Sequence, residues 1–276
     1  MTHFDLNKLL LPDSRPLIMG VLNVTPDSFF DGGKYFTKKQ AINHAIEMVE
    51  NGADIIDIGG ESSRPGAEPV SEEEELARIL PVIKTVVSEI SVPISIDTYK
   101  ANIAREALDA GAVMVNDVSA LRFDPGMVEI VKKYDAYIIL MHMLGTPRTM
   151  QKDPTYEHVV DDIITFLKTR INYALEHGIS KNRIIIDPGI GFGKNLDHNL
   201  EIIRNSERFN VLGYPVSIGA SRKSMIGMIT GAPVEERVWG TAAITSYCVM
   251  KGIAIHRVHD VKAMRQVCDV AAAIRG

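Results

Sequence analysis

The sequence predicts an α/β fold, a single (β/α)8 barrel over residues 1–276, on three observations. Short β-branched runs alternate eight times with longer segments of helical spacing. Four helical segments close on the same punctuation, Gly52-Ala53, Gly111-Ala112, Gly178-Ile179 and Gly252-Ile253, where glycine can take the left-handed turn before the next strand. No Gly/Ser/Pro-rich linker, charge block or low-complexity run divides the chain, and 276 residues suit one barrel domain.

The first strand is expected at Leu17 to Val24, followed by Asp54 to Gly59, Pro93 to Asp97 and Val113 to Asp117. Tyr137 to His142, Arg183 to Asp187, Pro215 to Gly219 and Ile253 to Val258 complete the set. Runs such as Ile184-Ile185-Ile186 are apolar at consecutive positions, as strands covered on both faces are. Ser71 with Glu74 three residues on forms a capping box for a helix from Glu72 to Ile90, with Pro81 expected to kink it. Val160, Ile163, Ile164, Leu167, Ile171, Ala174 and Leu175 make one stripe on a helix from about Tyr156 to His177. An open dinucleotide fold would carry GxGxxG after its first strand, whereas that strand runs into Asn23-Val24-Thr25-Pro26-Asp27. Gly189-Ile190-Gly191-Phe192-Gly193 follows the sixth strand and reads as a tight loop.

A net charge of −5 and a pI near 5.9 weigh against nucleic-acid binding. The longest stretches free of Asp, Glu, Lys and Arg, Phe209 to Ser221 and Val238 to Met250, fall short of the roughly 20 residues a membrane helix needs. No apolar segment before Pro12 reads as a secretion signal. Two cysteines, Cys248 and Cys268, neither in a CxxC, argue against a disulfide framework and suit a cytoplasmic protein.

Barrel chemistry sits at the carboxyl ends of the strands. Those ends carry Asn23; Asp57, Glu61, Ser63 and Arg64; Asp97 and Thr98; Asn116 and Asp117; His142; Asp187; Ser221-Arg222-Lys223-Ser224; and Arg257 with His259. Burying an unpaired polar group costs a few kcal/mol, roughly, so a purely structural barrel has no reason to gather so many on one rim. Asp57 and Asp117 read equally well as caps or partners for backbone amides. Asp97, Asn116 and Asp187 suit an amino-pyrimidinone edge, because a carboxylate accepts two parallel N–H bonds and an asparagine both donates and accepts. His142, between Met141 and Met143, reads better as a packed wall than as a base. His256 and His259, three apart on a strand, face opposite ways and do not make a zinc pair. Arg64, Lys223, Arg257 and His259 imply an anionic substrate near the last two strands.

These motifs together, from Met19-Gly20-Val21-Leu22-Asn23-Val24-Thr25-Pro26-Asp27-Ser28-Phe29 through Asp57-Ile58-Gly59-Gly60-Glu61-Ser62-Ser63-Arg64-Pro65-Gly66, Ser95-Ile96-Asp97-Thr98, Asp187-Pro188-Gly189 and Ser221-Arg222-Lys223-Ser224 to Arg257-Val258-His259-Asp260, resemble the dihydropteroate synthase family over essentially the whole chain. The resemblance implies a pterin-binding barrel and a transferase of folate biosynthesis, the target of sulfonamides. It would condense 6-hydroxymethyl-7,8-dihydropterin diphosphate with 4-aminobenzoate, releasing pyrophosphate. It assigns the pterin to Asp97, Asn116, Asp187 and Lys223 with Met141 and Phe192 as walls, and the diphosphate to Arg257 and His259 with Mg2+ near Asn23. Asp97, Asp187, Lys223, Arg257 and His259 form the implied catalytic set. Phe29, Ser63, Arg64, Pro65 and Ser224 would receive the aminobenzoate, and Asp31 belongs to the first loop. Loops Asn23 to Gly33 and Glu61 to Val70 would close over the pocket and exclude water.

The chain departs from the family pattern at Ser63 for threonine, Phe30 for serine, and Tyr99-Lys100-Ala101 for Ser-Lys-Pro. A pterin-binding methyltransferase barrel and a non-catalytic pterin-binding paralogue are the alternatives; the first has no use for the anion-binding groups. A homodimer is expected through the last two helices, where Gly240, Ala242, Ala243, Ser246 and Cys248, then Ala263 and Ala271 to Ala273, would let a partner approach closely.

Overall fold

The computed structural model describes residues 15–25, 34–62 and 68–276, excepting the side chains of 34–37. Eight parallel strands, β1 (Leu17–Asn23), β2 (Ile55–Gly59), β3 (Ile94–Asp97), β4 (Met114–Asp117), β5 (Tyr137–Met141), β6 (Ile184–Asp187), β7 (Ser217–Ile218) and β8 (Ile255–Val258), pair in the order β6-β5-β4-β3-β2-β1-β8-β7. A bridge between Ile186 and Val216, with the Ile186 N–H donating to the Pro215 carbonyl at 3.0 Å, draws the two edges together into a nearly closed barrel. Every expected strand is present, trimmed by at most two residues at an end.

Strand alternation explains both the core and the site. Ile18, Ile56, Ile94, Val115, Ile138 and Ile184 face outward and join one large cluster with the helices. Met19, Ile55, Met114, Tyr137, Ile139, Ile185 and Ile255 face inward and form a separate plug inside the barrel. Two residues further along the same strands, Asp57, Asn116, Asp187 and Arg257 share that inward parity. The barrel thus has an apolar floor and a polar rim, at the strand ends where barrels carry their chemistry.

Helices α1 (Lys34–Glu50), α2 (Glu72–Glu89), α3 (Ala101–Asp109), α4 (Met127–Lys133), α5 (Val159–Glu176) and α6 (Leu196–Arg204) link consecutive strands. Gly52, Gly111, Gly178 and Gly252 take φ of +94°, +109°, +92° and +79°, the left-handed helix ends read from the sequence. Three expectations need correction. Only half of the α2 capping box forms: Ser71 Oγ accepts the Glu74 N–H at 3.2 Å, but the Glu74 carboxylate is drawn to Arg78. The plain eightfold repeat gains a helix, because β7 is followed by both α7 (Ser224–Thr230) and α8 (Val238–Met250) before β8 and α9 (Val261–Arg275). The α8 helix begins at Val238 rather than Glu235, since Val234–Glu236 form a short 3-10 turn.

Two of the small residues of α8, Gly240 and Cys248, are turned toward the body of the barrel. A Cβ on Gly240 would lie 2.3 Å from Ile226 of α7, and Cys248 is fully buried, so both pack inward. The large apolar side chains that α8 and α9 leave exposed are Trp239, 80% exposed, with Tyr247, Met250, Val270 and Ile274.

Candidate active site

The rim is organised around a buried aspartate. Asp57, with no exposed surface, accepts on Oδ2 from Arg257 Nε at 2.7 Å and from Asn116 Nδ2 at 3.0 Å. Arg257 donates a second bond, through Nη2, to Asp97 Oδ2 at 2.7 Å. Burial by itself would lower the Arg257 pKa, but the Asp57 and Asp97 charges outweigh it and the net shift is upward. Burial pushes the Asp97 carboxyl up to about 7, against the pull of Arg257 and with the help of the Asp57 charge. The guanidinium has five N–H donors, so its two carboxylate bonds leave donors for an anion at the mouth.

Asp187 and Lys223 face each other on the next part of the rim. The Asp187 Oδ1 accepts the Gly189 N–H at 2.7 Å; burial raises the carboxyl, opposed by that bond and by the Lys223 charge. Lys223 donates to the Ile190 carbonyl and lies 4.5 Å from the Phe192 ring centre. Burial lowers the Lys223 ammonium to about 7, with Asp187 opposing. Gly189, at φ +69°, has no room for a side chain: a Cβ there would fall 1.9 Å from the His142 carbonyl oxygen. That contact keeps the 189–193 loop tight against β5 and aims Phe192 at an apolar wall of Val118, Met141, Met143 and Met150.

At the remaining strand ends, His259 Nδ1 lies 3.0 Å from Ser221 Oγ, which also accepts the His259 backbone N–H at 3.1 Å. Asn23 pairs in register with Gly59 across β1 and β2; a Cβ on Gly59 would sit 3.9 Å from Asn23 Oδ1 and 3.8 Å from Asp97 Oδ2. The absent side chain leaves these two oxygens flanking one open spot. Ser224 is exposed at the first residue of α7. Phe29, Phe30, Asp31, Ser63, Arg64 and Pro65 lie outside the described residues.

The Pterin binding enzyme family matches residues 19–259. The dihydropteroate synthase of Synechocystis sp. is 46% identical over 274 residues, 99% of this chain and 93% of that protein. Among solved structures, the Yersinia pestis dihydropteroate synthase in a sulfonamide drug complex superposes with a TM-score of 0.91 at 43% identity, covering 96% of both chains. The Xanthomonas albilineans dihydropteroate synthase with 4-aminobenzoic acid gives 0.90 at 43% identity, covering 96% of this chain and 94% of that one. The chain belongs to the dihydropteroate synthase family.

Within this dihydropteroate synthase fold, sequence reasoning left Asp57 undecided and overlooked Lys194. Asp57 shares the parity of inward-facing Ile55, which places it under the rim; Asp117 has the outward parity and caps a turn, accepting from the Ser119 and Leu121 N–H groups at 2.8 and 2.7 Å. Lys194 is 3% exposed and donates to the Phe192 carbonyl, with His142 Nδ1 also 2.9 Å from its Nζ. Burial pushes the His142 imidazole down to about 2, so it is a neutral residue packed edge-on against Phe166 behind β5 and no base. For the implied magnesium, the amide oxygen of Asn23 is a hard donor of the right kind. Mg2+ keeps several waters and takes one or two protein oxygens beside substrate phosphates, so a single Asn oxygen at an open rim position fits it.

Proposed function

We infer that the chain condenses 6-hydroxymethyl-7,8-dihydropterin diphosphate with 4-aminobenzoate to give 7,8-dihydropteroate and pyrophosphate. One observation carries the reading: a hydrogen-bonding set for a planar heterocycle, Asn116, Asp187 and Lys223, shares its rim with Arg257, a guanidinium poised for an anion. The Asp187 carboxylate takes the donor edge of the pterin, Asn116 and Lys223 complete its hydrogen bonds, and Met141 and Phe192 cover its faces. Arg257 and His259 hold the diphosphate. Ser224, beside Lys223 in sequence, is assigned with Phe29, Ser63, Arg64 and Pro65 to the aminobenzoate, and Asp31 to the first loop.

In the reaction, the bond from the pterin methylene carbon to the diphosphate oxygen breaks and its electron pair leaves on oxygen. Arg257 and His259 stabilise that charge, and the Asp97 carboxylate stabilises the positive charge left on the pterin. The aryl amine nitrogen then bonds to the methylene carbon and releases one proton to solvent, which needs no strong base. Magnesium bound by Asn23 and the diphosphate would supply further neutralisation of the leaving group.

The exposed apolar surface of α8 and α9 suits a symmetric homodimer, away from the rim. Buried, unpaired Cys248 and Cys268 suit a reducing cytoplasm. Among the described residues no helix is long and apolar enough to cross a membrane. A pyrophosphate-release assay tests the reaction: release should require 4-aminobenzoate and match dihydropteroate formation one for one. No release with either substrate set would favour a non-catalytic binder, and methyl transfer to a corrinoid acceptor would favour the methyltransferase alternative.

A further inference from the structure

The chain leaves β6 through a turn of Gly189-Ile190-Gly191-Phe192, closed by the Phe192 N–H donating to the Gly189 carbonyl at 3.1 Å. Gly191, third in the turn, has φ +80°, which is the type II form. Types I and II keep the same closing bond and differ by reversal of the central peptide, here the one joining Ile190 to Gly191. With glycine in third position the backbone accepts either form at little steric cost. The orientation is therefore chosen by whatever grips that peptide.

Two side chains from different elements grip it, one at each end. The Ile190 carbonyl accepts from Lys223 Nζ, and the lysine stem lies over Gly191, where a Cβ would sit 3.1 Å from Lys223 Cδ. The Gly191 N–H donates to Asn199 Oδ1 at 2.7 Å. Asn199 stands in the second turn of α6, is 3% exposed, and donates through Nδ2 to the Asn195 carbonyl at 2.7 Å. Rotating its amide would set oxygen against that carbonyl and N–H against the Gly191 N–H, so the acceptor stays aimed at the turn. The outer groups of the turn are held separately, the Gly189 N–H by Asp187 and the Gly191 carbonyl by Gln151 Nε2 at 2.7 Å. Neither of those bonds involves the central peptide.

We propose that Asn199 is a positioning residue for pterin binding: by holding the Gly191 N–H it turns the Ile190 carbonyl toward Lys223 and keeps that ammonium on the rim. This rests on the pterin reading inferred above. With the peptide reversed, Lys223 would face an N–H in place of a carbonyl and would give up its proton at lower pH. The charged groups around Lys223 are Asp187 of β6, Arg257 of β8, Asp97 of β3 and Lys194 after the turn, and all of them remain when Asn199 is replaced.

Calorimetric titration of the full chain with 6-hydroxymethyl-7,8-dihydropterin at a series of pH values tests the proposal. Asn199→Leu should weaken binding about tenfold at neutral pH and move its basic flank down by about one pH unit, the worth of one charged hydrogen bond. Asn199→Asp, which keeps an acceptor for the Gly191 N–H, should bind within about threefold of the wild type, with a flank that does not fall. In a Lys223→Met background, Asn199→Leu should cost at most about twofold more. Unchanged binding by Asn199→Leu, weaker binding with the flank unmoved, an Asn199→Asp variant as weak as Asn199→Leu, or full additivity with Lys223→Met overturns the proposal. Thermal melts accompany each variant; if Asn199→Leu melts early, Asn199→Ser, too short to reach Gly191, carries the same expectation. A wild-type chain that binds no pterin overturns the pterin reading itself, and the proposal with it.

Discussion

Under the proposed reaction, Asp97 and Lys223 bound the working pH of the site from opposite sides. Burial raises the Asp97 carboxyl to about 7, so below that pH it gains a proton and loses the charge that faces the developing cation. Burial lowers Lys223 to about 7, so above that pH it loses the charge offered to the pterin. The kcat/KM for pterin diphosphate should therefore peak near neutrality and fall on both flanks. Lys223→Arg, which stays protonated, should remove the basic flank and keep the acid one; a pH–rate profile with the basic flank unmoved would assign that flank elsewhere. Residue types at the strand ends were legible in the sequence because a polar group closing an apolar run stands out. Asp57 was not, since an aspartate inside a strand does not announce which way it faces. Lys194 was less so: nothing in a glycine-rich loop says that its lysine folds under Phe192 to reach a histidine from another strand.

Among the elements, the β6–α6 connection is the one whose geometry the site depends on most. Gly189→Ala would place a methyl 1.9 Å from the His142 carbonyl oxygen and strain a φ of +69°, so the loop carrying Phe192 must move. Pterin affinity should fall more than about tenfold, that is by more than 1.4 kcal/mol. Gly213→Ala is the control, because its φ of +73° carries the same backbone strain but nothing lies within 4 Å of the added carbon. It should cost stability of about 1 to 2 kcal/mol and leave binding alone, as calorimetry and thermal melts can check. The elements themselves were readable because each strand is a short run built on apolar and β-branched residues between turn signals. Helix starts were harder to read. The α5 helix begins at Val159 rather than near Tyr156, whose hydroxyl is held by the Gly193 carbonyl at 2.7 Å, a tertiary contact with no local signature.

For the whole molecule, the barrel divides labour between its ends and its flank. Exposed Trp239, Tyr247, Met250, Val270 and Ile274 lie on α8 and α9, whereas the site gathers at the strand ends. Trp239→Glu should reduce the light-scattering mass from a dimer to the 30.4 kDa monomer with kcat nearly unchanged; a wild-type chain already monomeric at micromolar concentration would refute the dimer. Of the small residues on which the dimer expectation rested, Gly240 packs against α7 and Cys248 is buried, so the exposed surface of this flank is carried largely by bigger apolar side chains. The central claim, that the rim reads a pterin through Asp187, is tested most directly by calorimetric titration of Asp187→Asn with 6-hydroxymethyl-7,8-dihydropterin. An asparagine has one acceptor oxygen, the Gly189 N–H claims it, and the amide nitrogen is left facing the donor edge of the ligand. The expected result is a loss of about 10- to 150-fold in affinity, roughly 1.5 to 3 kcal/mol, in a variant that melts as the wild type does; unchanged pterin affinity would contradict the assignment.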